Sequence, residues 1–178
     1  KDLRLAMDDA SRRAQPYWGR LVWSADVKSA MIDLRSPLRR KGKFLGMLVS
    51  VVSVGNFLGP TPGLGEGGAT LNRFVLYGKG HVLAHDGIAP VQFERSARRP
   101  LPGIDQVGDP VLARLWDTDS HHNLGLKLTG QSRGHVIEFD GDYYPVFYRT
   151  LSGYGSAKVI VGAYVQPGSS EGVEMRRL

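Results

Sequence analysis

No cysteine occurs among the 178 residues. Its absence excludes disulfides, thiolate metal sites and cysteine nucleophiles together, and it suits a bacterial extracytoplasmic domain. Long apolar runs are missing too. No stretch approaches ~20 consecutive apolar residues, so no bilayer-spanning helix is expected. The N-terminal KDLRLAMDDASRRAQ is charged and polar, unlike a secretory leader. Clustered charge of the kind that grips nucleic acid is also lacking. The net charge is +6, but the basic groups Arg39-Arg40-Lys41, Arg98-Arg99 and Arg176-Arg177 fall at a turn, a loop and a chain end. Arg12-Arg13 closes a helical segment, where cations suit the dipole. A nucleic-acid partner is therefore not expected.

What is present is enough apolar sequence to fold, 42% against 22% charged. The 23 glycines and 10 prolines favour turns, and so strands over long helices. Residues 2–15 carry a partial helical stripe (Leu3, Leu5, Ala6, Ala10, Ala14) ended by Pro16. PYWGRLVW reads as a strand with a bulge at Gly19. Residues 30–38 alternate, and Pro37 suggests an edge strand or a strand end. After a turn at Lys41-Gly42, residues 44–54 are apolar on both faces, which predicts a central strand covered on two sides. The Gly/Pro stretch GPTPGLGEGG is the best boundary in the chain.

RFVLYGKGHVLAHDG then reads as a hairpin in which Gly78 and Gly80 can supply positive φ. Strict alternation puts His81, Leu83 and His85 on one face. In DPVLARLWD, Asp109 can cap a helix, Pro110 takes its first position, and Leu112, Leu115 and Trp116 form its apolar side. HVIEFDGDYYPVFYRTL is a second hairpin, turning at Asp140-Gly141, and KVIVGAYV is the last strand. The order is two strands, an irregular helix-bearing middle, then three strands. It predicts an α+β fold: an antiparallel sheet with helices and loops over one face. The three strands before residue 55 match the last three of such a unit, so the earlier stretch is expected to be a shortened copy.

In this order and spacing, SPLRRKGKFLGMLVSVVSV, RFVLYGKGHVLAHDG, DPVLARLW, YYPVFYRTLSGYG and VIVGAYV with the trailing EMRRL resemble the PAS-like Cache family. The likeness covers nearly the whole chain. It is strongest to the extracytoplasmic sensor regions of bacterial class III adenylate/guanylate cyclases. The resemblance implies a truncated double Cache region: a partial membrane-distal unit at 1–55, a linker at 56–72, a membrane-proximal unit at 73–168 and the start of an exit helix at 169–178. It further implies a periplasmic domain of a membrane-anchored parent, without cofactor or catalysis of its own. The parent would work as a homodimer, bind an unidentified small molecule and regulate a cytoplasmic cyclase. A histidine kinase or chemoreceptor is the alternative parent. The family's AHP is AHD here, with Asp86, and the Tyr-Asp of amino-acid-binding members is Trp23-Ser24, so the likeness does not extend to amino-acid sensing.

Small-molecule pockets are mostly apolar and aromatic with a few polar groups. The candidate ligand-binding residues are accordingly Tyr17, Trp18, Trp23, Asp33, Arg35, His85, Tyr144 and Tyr148. Against them stands the plainer reading, in which the rings are core and Asp33 and Arg35 form an exposed pair. Arg149 is adjacent to Tyr148 and must face the other way. His81 and His85, ~13 Å apart on one strand, cannot share a metal ion. GLGEGG matches no phosphate-binding loop, and GYGSA lacks the setting of a nucleophile elbow. A small hydrolase or metal-dependent enzyme using His85, Asp86 and a serine is the reading from another functional class, and an interaction module working through strand edges is a third.

Overall fold

The computed structural model describes residues 2–54, 58, 70–86, 96, 98–125, 128–152 and 157–166. Helix α1 (Asp2–Ser11) leads into strands β1 (Tyr17–Ser24), β2 (Ser29–Arg40) and β3 (Lys43–Ser53), an antiparallel sheet in the order β1-β2-β3. The β2–β3 turn has positive φ at both Lys41 (50°) and Gly42 (81°), the mirror-image turn whose twist matches that of the strands. Gly19 sits at a bulge, where it and Arg20 together oppose Asp33.

The second sheet contains β4 (Thr70–Tyr77), β5 (His81–His85), β6 (His121–His122), β7 (Ser132–Phe139), β8 (Asp142–Leu151) and β9 (Val159–Gln166). Its order is β5-β4-β9-β8-β7-β6, antiparallel throughout. The two-residue edge β6 apart, five strands run second, first, fifth, fourth, third. Helix α2 (Pro110–Ala113) and the irregular chain around it lie over one face. The expected α+β arrangement is what the chain adopts. No helix among the described residues is long and apolar enough to cross a membrane.

Both faces of the second sheet are buried. Phe74, Leu76, Val82, Ile137, Val146, Ile160 and Tyr164 pack under Val107, Val111, Leu112 and Leu115. On the other face Val75, Leu83, Ala84 and Leu101 pack against Ala30 and Ile32 of the first sheet and Val54 just past its last strand. The alternation of Phe74 and Leu76 with Val75 and Tyr77 sends successive side chains to opposite faces, so the run FVLY serves two layers. Gly162 lets the Phe74 ring lie across the strand, since a Cβ there would fall 2.4 Å from that ring and 2.6 Å from the Phe147 carbonyl oxygen.

Three expectations change. Strand β3 is an edge strand, bonded to β2 alone, and Leu45, Leu48, Val49, Val51 and Val52 are exposed. Two apolar faces imply two covering layers only if the strand is flanked by others, and among the described residues the sheet stops here. Pro37 lies inside β2, opposite Met47, in the middle strand of its sheet. It is tolerated because β1 pairs only as far as Arg35, so the missing N–H faces no ladder on that side. Finally, β5 is bulged. Ala84 pairs with Val75 and Val82 with Leu76, leaving Leu83 extra. The inserted residue reverses the alternation, so His85 lies opposite Phe74 and His81 opposite Tyr77, on different faces. The linker expected at 56–72 is β4 from Thr70 onward. Its remainder, save Leu58, and the exit helix expected at 169–178 lie outside the described residues.

Candidate functional site

The site is built on the face of the second sheet that lies beneath α2. Asp109 has the extended backbone of an N-cap (φ −99°, ψ 108°), and its Oδ1 accepts the amides of Val111 and Leu112 at 2.9 Å each. Its other oxygen reaches down to the sheet. Oδ2 accepts the Tyr164 hydroxyl at 2.6 Å and lies 2.6 Å from His85 Nε2. The side chains of His85 and Asp109 are 3% and 8% exposed, so one carboxylate latches the cover to β5 and β9 in a nearly dry setting. Burial by itself would raise the Asp109 pKa. Burial is the largest influence, but the close approach of His85 together with the hydrogen bonds from the Tyr164 hydroxyl and the Leu112 amide outweighs it and holds the carboxyl below its ordinary value. Burial and the facing carboxylate push the Tyr164 phenol upward.

A chain of rings continues across the same face. Tyr144 lies edge-on to Tyr164 at 6.2 Å, its phenol raised by burial and then by Asp142, Asp140 and Asp109. Alternation along β8 puts Tyr148 on this face with Tyr144 and Val146. Tyr148 meets Trp116 at 5.3 Å and His135 at 5.8 Å, both edge-on. Trp116 is fixed by its indole N–H, which donates to the Lys79 carbonyl at 2.7 Å. His121 stacks on His135 with centroids 3.7 Å apart. Burial, aided by His121, lowers the His135 pKa to about 4, which keeps that ring neutral. Nε2 of His135 is buried without a hydrogen-bond partner among the described residues. As expected for adjacent strand residues, His122 points the other way, to Glu138 at 2.7 Å.

The eight sequence candidates therefore separate into three places. His85, Tyr144 and Tyr148 share the face just described. Trp18 and Trp23 pack into the core between the two sheets. Tyr17, Asp33 and Arg35 lie on the side of the first sheet that faces α1, where the Tyr17 hydroxyl approaches the Ala6 carbonyl at 3.4 Å. Asp33 and Arg35 do pair, at 2.6 Å, but with 17% and 19% of their side chains exposed they are largely buried rather than solvated. Burial, the largest influence, lowers the Arg35 pKa, and Asp33 and Tyr17 together raise it above the ordinary value. Gly19 makes room for the pair, since a Cβ there would fall 1.8 Å from Asp33 Oδ1.

The hydrolase constellation does not assemble around Asp86. That carboxylate takes Nε and Nη2 of Arg73 at 2.8 and 2.9 Å, and the carboxylate beside His85 is Asp109. Among the described residues no three His, Asp or Glu side chains converge as a metal site. A polar cleft of about 330 Å³ opens elsewhere, lined by His81, Arg98, Arg99 and Asp105 among others, and gathers none of the rings above.

Sequence reasoning read Asp109 only as a helix cap and passed over Tyr164 and His135. Alternation did carry a signal for Tyr164, which shares a face with Ile160 and Gly162. Nothing local marks Asp109 as its partner, 55 positions away.

No family model matches the sequence, and no curated protein matches it. Solved structures do resemble the fold. One is the ligand-binding domain of the Pseudomonas fluorescens chemoreceptor CtaA in complex with L-serine, at 15% identity and TM-score 0.48, covering 90% of this chain and 59% of that one. Another is the ligand-binding domain of the Pseudomonas aeruginosa PAO1 amino acid chemoreceptor PctB in complex with L-Arg, at 13% identity and TM-score 0.44, covering 98% and 60%. A third is the extracellular domain of a protein described as a histidine kinase, at 17% identity and TM-score 0.42, covering 90% and 58%. The chain spans about three fifths of the length of these structures.

Proposed function

We propose that the chain is an extracytoplasmic sensor domain of the Cache type, non-catalytic in itself, which reads a small molecule at the ring-lined face beneath α2. The observation that carries this reading is His135 Nε2, buried with no hydrogen-bond partner at the centre of a patch of Trp116, Tyr148 and His121. A buried polar atom left unmade costs about 1–3 kcal/mol, and a ligand that supplies a partner recovers it. The latch gives such a ligand mechanical effect. Asp109 starts the cover and holds Tyr164, on the strand that leads toward residues 167–178. A ligand that moves the cover and so favours one of two latch arrangements biases that strand. The parent is a membrane-anchored signalling protein. The matched structures come from chemoreceptors and a protein described as a histidine kinase, so they suit the alternative parent and lend the cyclase no support. The first sheet is the closing part of a second unit of the same kind.

The test is a thermal-shift panel of the twenty L-amino acids, short mono- and dicarboxylates, and small amines. A ligand present at about a hundredfold over its Kd adds about 2.7 kcal/mol, or roughly 5–10 °C for a chain of this size. The expected result is one chemical class that raises Tm and loses its effect in Tyr148→Ala and His135→Phe. Binding that survives both substitutions and is lost in Trp18→Ala, or in an Arg98/Arg99 double alanine variant, places the site elsewhere and overturns the reading.

A further inference from the structure

The polar cleft at the start of β5 has a built frame. Along one side, residues 102–104 add themselves to β5. The Val82 amide donates to the Pro102 carbonyl at 2.9 Å, the Ile104 amide donates to the Gly80 carbonyl at 3.0 Å, and Gly103 stands opposite His81. The arginines come from a tight turn. Ser96 and Arg99 exchange backbone hydrogen bonds at 3.1 Å, and the Ser96 hydroxyl also accepts the Arg99 amide at 3.2 Å. Hydrogen-bond donors dominate the lining, which includes Arg98, Arg99, His81 and Gln106. Oε1 of Gln106 already accepts the Gly103 amide at 2.9 Å, so its NH₂ is the group left for the cleft. Asp105 is the one carboxylate among the lining residues, and it folds back on Gly103, with Oδ1 2.5 Å from the place a Cβ there would take. Two guanidiniums against one carboxylate leave the cleft positive.

We propose that this cleft binds a phosphate group, free or as the monoester of a small molecule, with Arg98 and Arg99 as its charged partners and His81 and Gln106 as further donors. A phosphate dianion presents three strong acceptor oxygens, enough for several donors at once. Guanidinium forks match it two bonds at a time. A monocarboxylate presents two oxygens, which a single guanidinium satisfies. The cleft volume of about 330 Å³ lies at the lower end of small-molecule sites, which run from roughly 300 to 1,000 Å³. It has room for a phosphate and a short organic group. The cleft gathers none of the rings beneath α2, so this inference stands or falls apart from the sensor reading.

Titration calorimetry of the unmodified chain in low salt, with inorganic phosphate and glycerol phosphate as probes, is expected to give saturable one-to-one binding. Arg98→Ala combined with Arg99→Ala weakens it at least tenfold. So does Gly80→Leu, which fills the cleft. Gly80 lines it, has no positive φ, and a Cβ there meets nothing within 4 Å, so the larger side chain has room without disturbing the frame. Both variants keep the parent far-UV circular dichroism. Removing equal charge elsewhere, Arg40→Ala with Lys43→Ala, changes affinity less than twofold, and Tyr148→Ala leaves it unchanged. Tighter binding of the monoester than of phosphate assigns the organic group to the cleft as well, and equal binding assigns phosphate alone. In histidine-labelled protein, phosphate shifts the His81 imidazole and leaves His135 still. No saturable binding overturns the proposal, as does equal loss in the two double-alanine variants, binding that survives Gly80→Leu, or acetate binding as tightly as phosphate.

Discussion

The two sheets are made of similar strands and end in opposite conditions. The six-stranded sheet has both faces buried, is edged by a bulged five-residue strand and a two-residue strand, and is latched to its cover by one carboxylate. The three-stranded sheet buries one face against its neighbour, sets α1 on the other, and among the described residues has its most apolar strand at its edge. What separates them is flanking rather than composition: VSVV in β3 and VIVG in β9 are equally good strand sequences, and among the described residues only the second has a partner on each side. The lesson is that strand chemistry sets the tendency to pair, and topology decides which strands find a partner on each side.

The largest expected effect sets the buried His85–Asp109 contact of one sheet against the Asp33–Arg35 pair of the other. Asp109→Ala strands His85, Tyr164 and two helix amides together, and should cost about 3–5 kcal/mol in urea unfolding. Asp33→Ala removes a partner that retains some solvent, and should cost less than half as much. Equal costs would erase the distinction between the dry latch and the partly solvated pair. Next come the glycines. At Gly162 a Cβ meets the Phe147 backbone and the Phe74 ring, so Gly162→Ala should cost about 2–3 kcal/mol. At Gly19 it meets the Asp33 and Arg35 side chains, which can swing away, so Gly19→Ala should be milder.

Much of this was readable locally. The Asp140-Gly141 turn, with φ of 54° and 78°, follows from two residues whose preferences match the required backbone. Asp109 and Pro110 start their helix as their types dictate. The succession of strands along the chain follows from the alternation of patterned segments, but their order across the sheet does not. What could not be read depends on a distant partner or on a count. The Leu83 bulge shifts one residue and thereby sends His85 rather than His81 to the site, and nothing in HVLAH announces it. The apolar faces of β3 call for a strand on each side, and among the described residues only β2 is there. Among the candidate residues, Tyr144 and Tyr148 share a face as alternation predicts, and the bulge brings His85 to the same face. Their separation from Tyr17 and Asp33 was invisible because it depends on which sheet each strand joins.

A smaller effect tests the ring stack. The pKa of His135 is depressed from 6.5 to about 4 in the folded chain, so the unfolded chain takes up the proton first as pH falls. Stability is therefore complete above pH 6.5 and declines between there and about pH 4. The loss should be about 1–2 kcal/mol once residual solvent contact is allowed for. His135→Phe should remove this part of the pH dependence, measured by urea melts at pH 4.5 and 7.5, whereas an unchanged slope assigns it to another group. The last comparison returns to the two sheets and ends on the smallest effect. Val146→Ala, fully buried, should cost about 2 kcal/mol, and Val51→Ala, at 56% exposure, within about 0.5 kcal/mol under dilute conditions.

The five histidines are placed as reporters for the central claim. His121 and His135 lie in the ring patch, His85 in the latch, His81 at the polar cleft and His122 on the outer side of β6. Imidazole NMR of histidine-labelled protein, titrated with the compound that raises Tm, tests it most directly. The expected result is saturable shifts at His135 and His121, a smaller one at His85, and none at His81 or His122. Saturable movement at His81 alone, or movement of the Trp18 and Trp23 indoles with all five imidazoles still, would contradict the account.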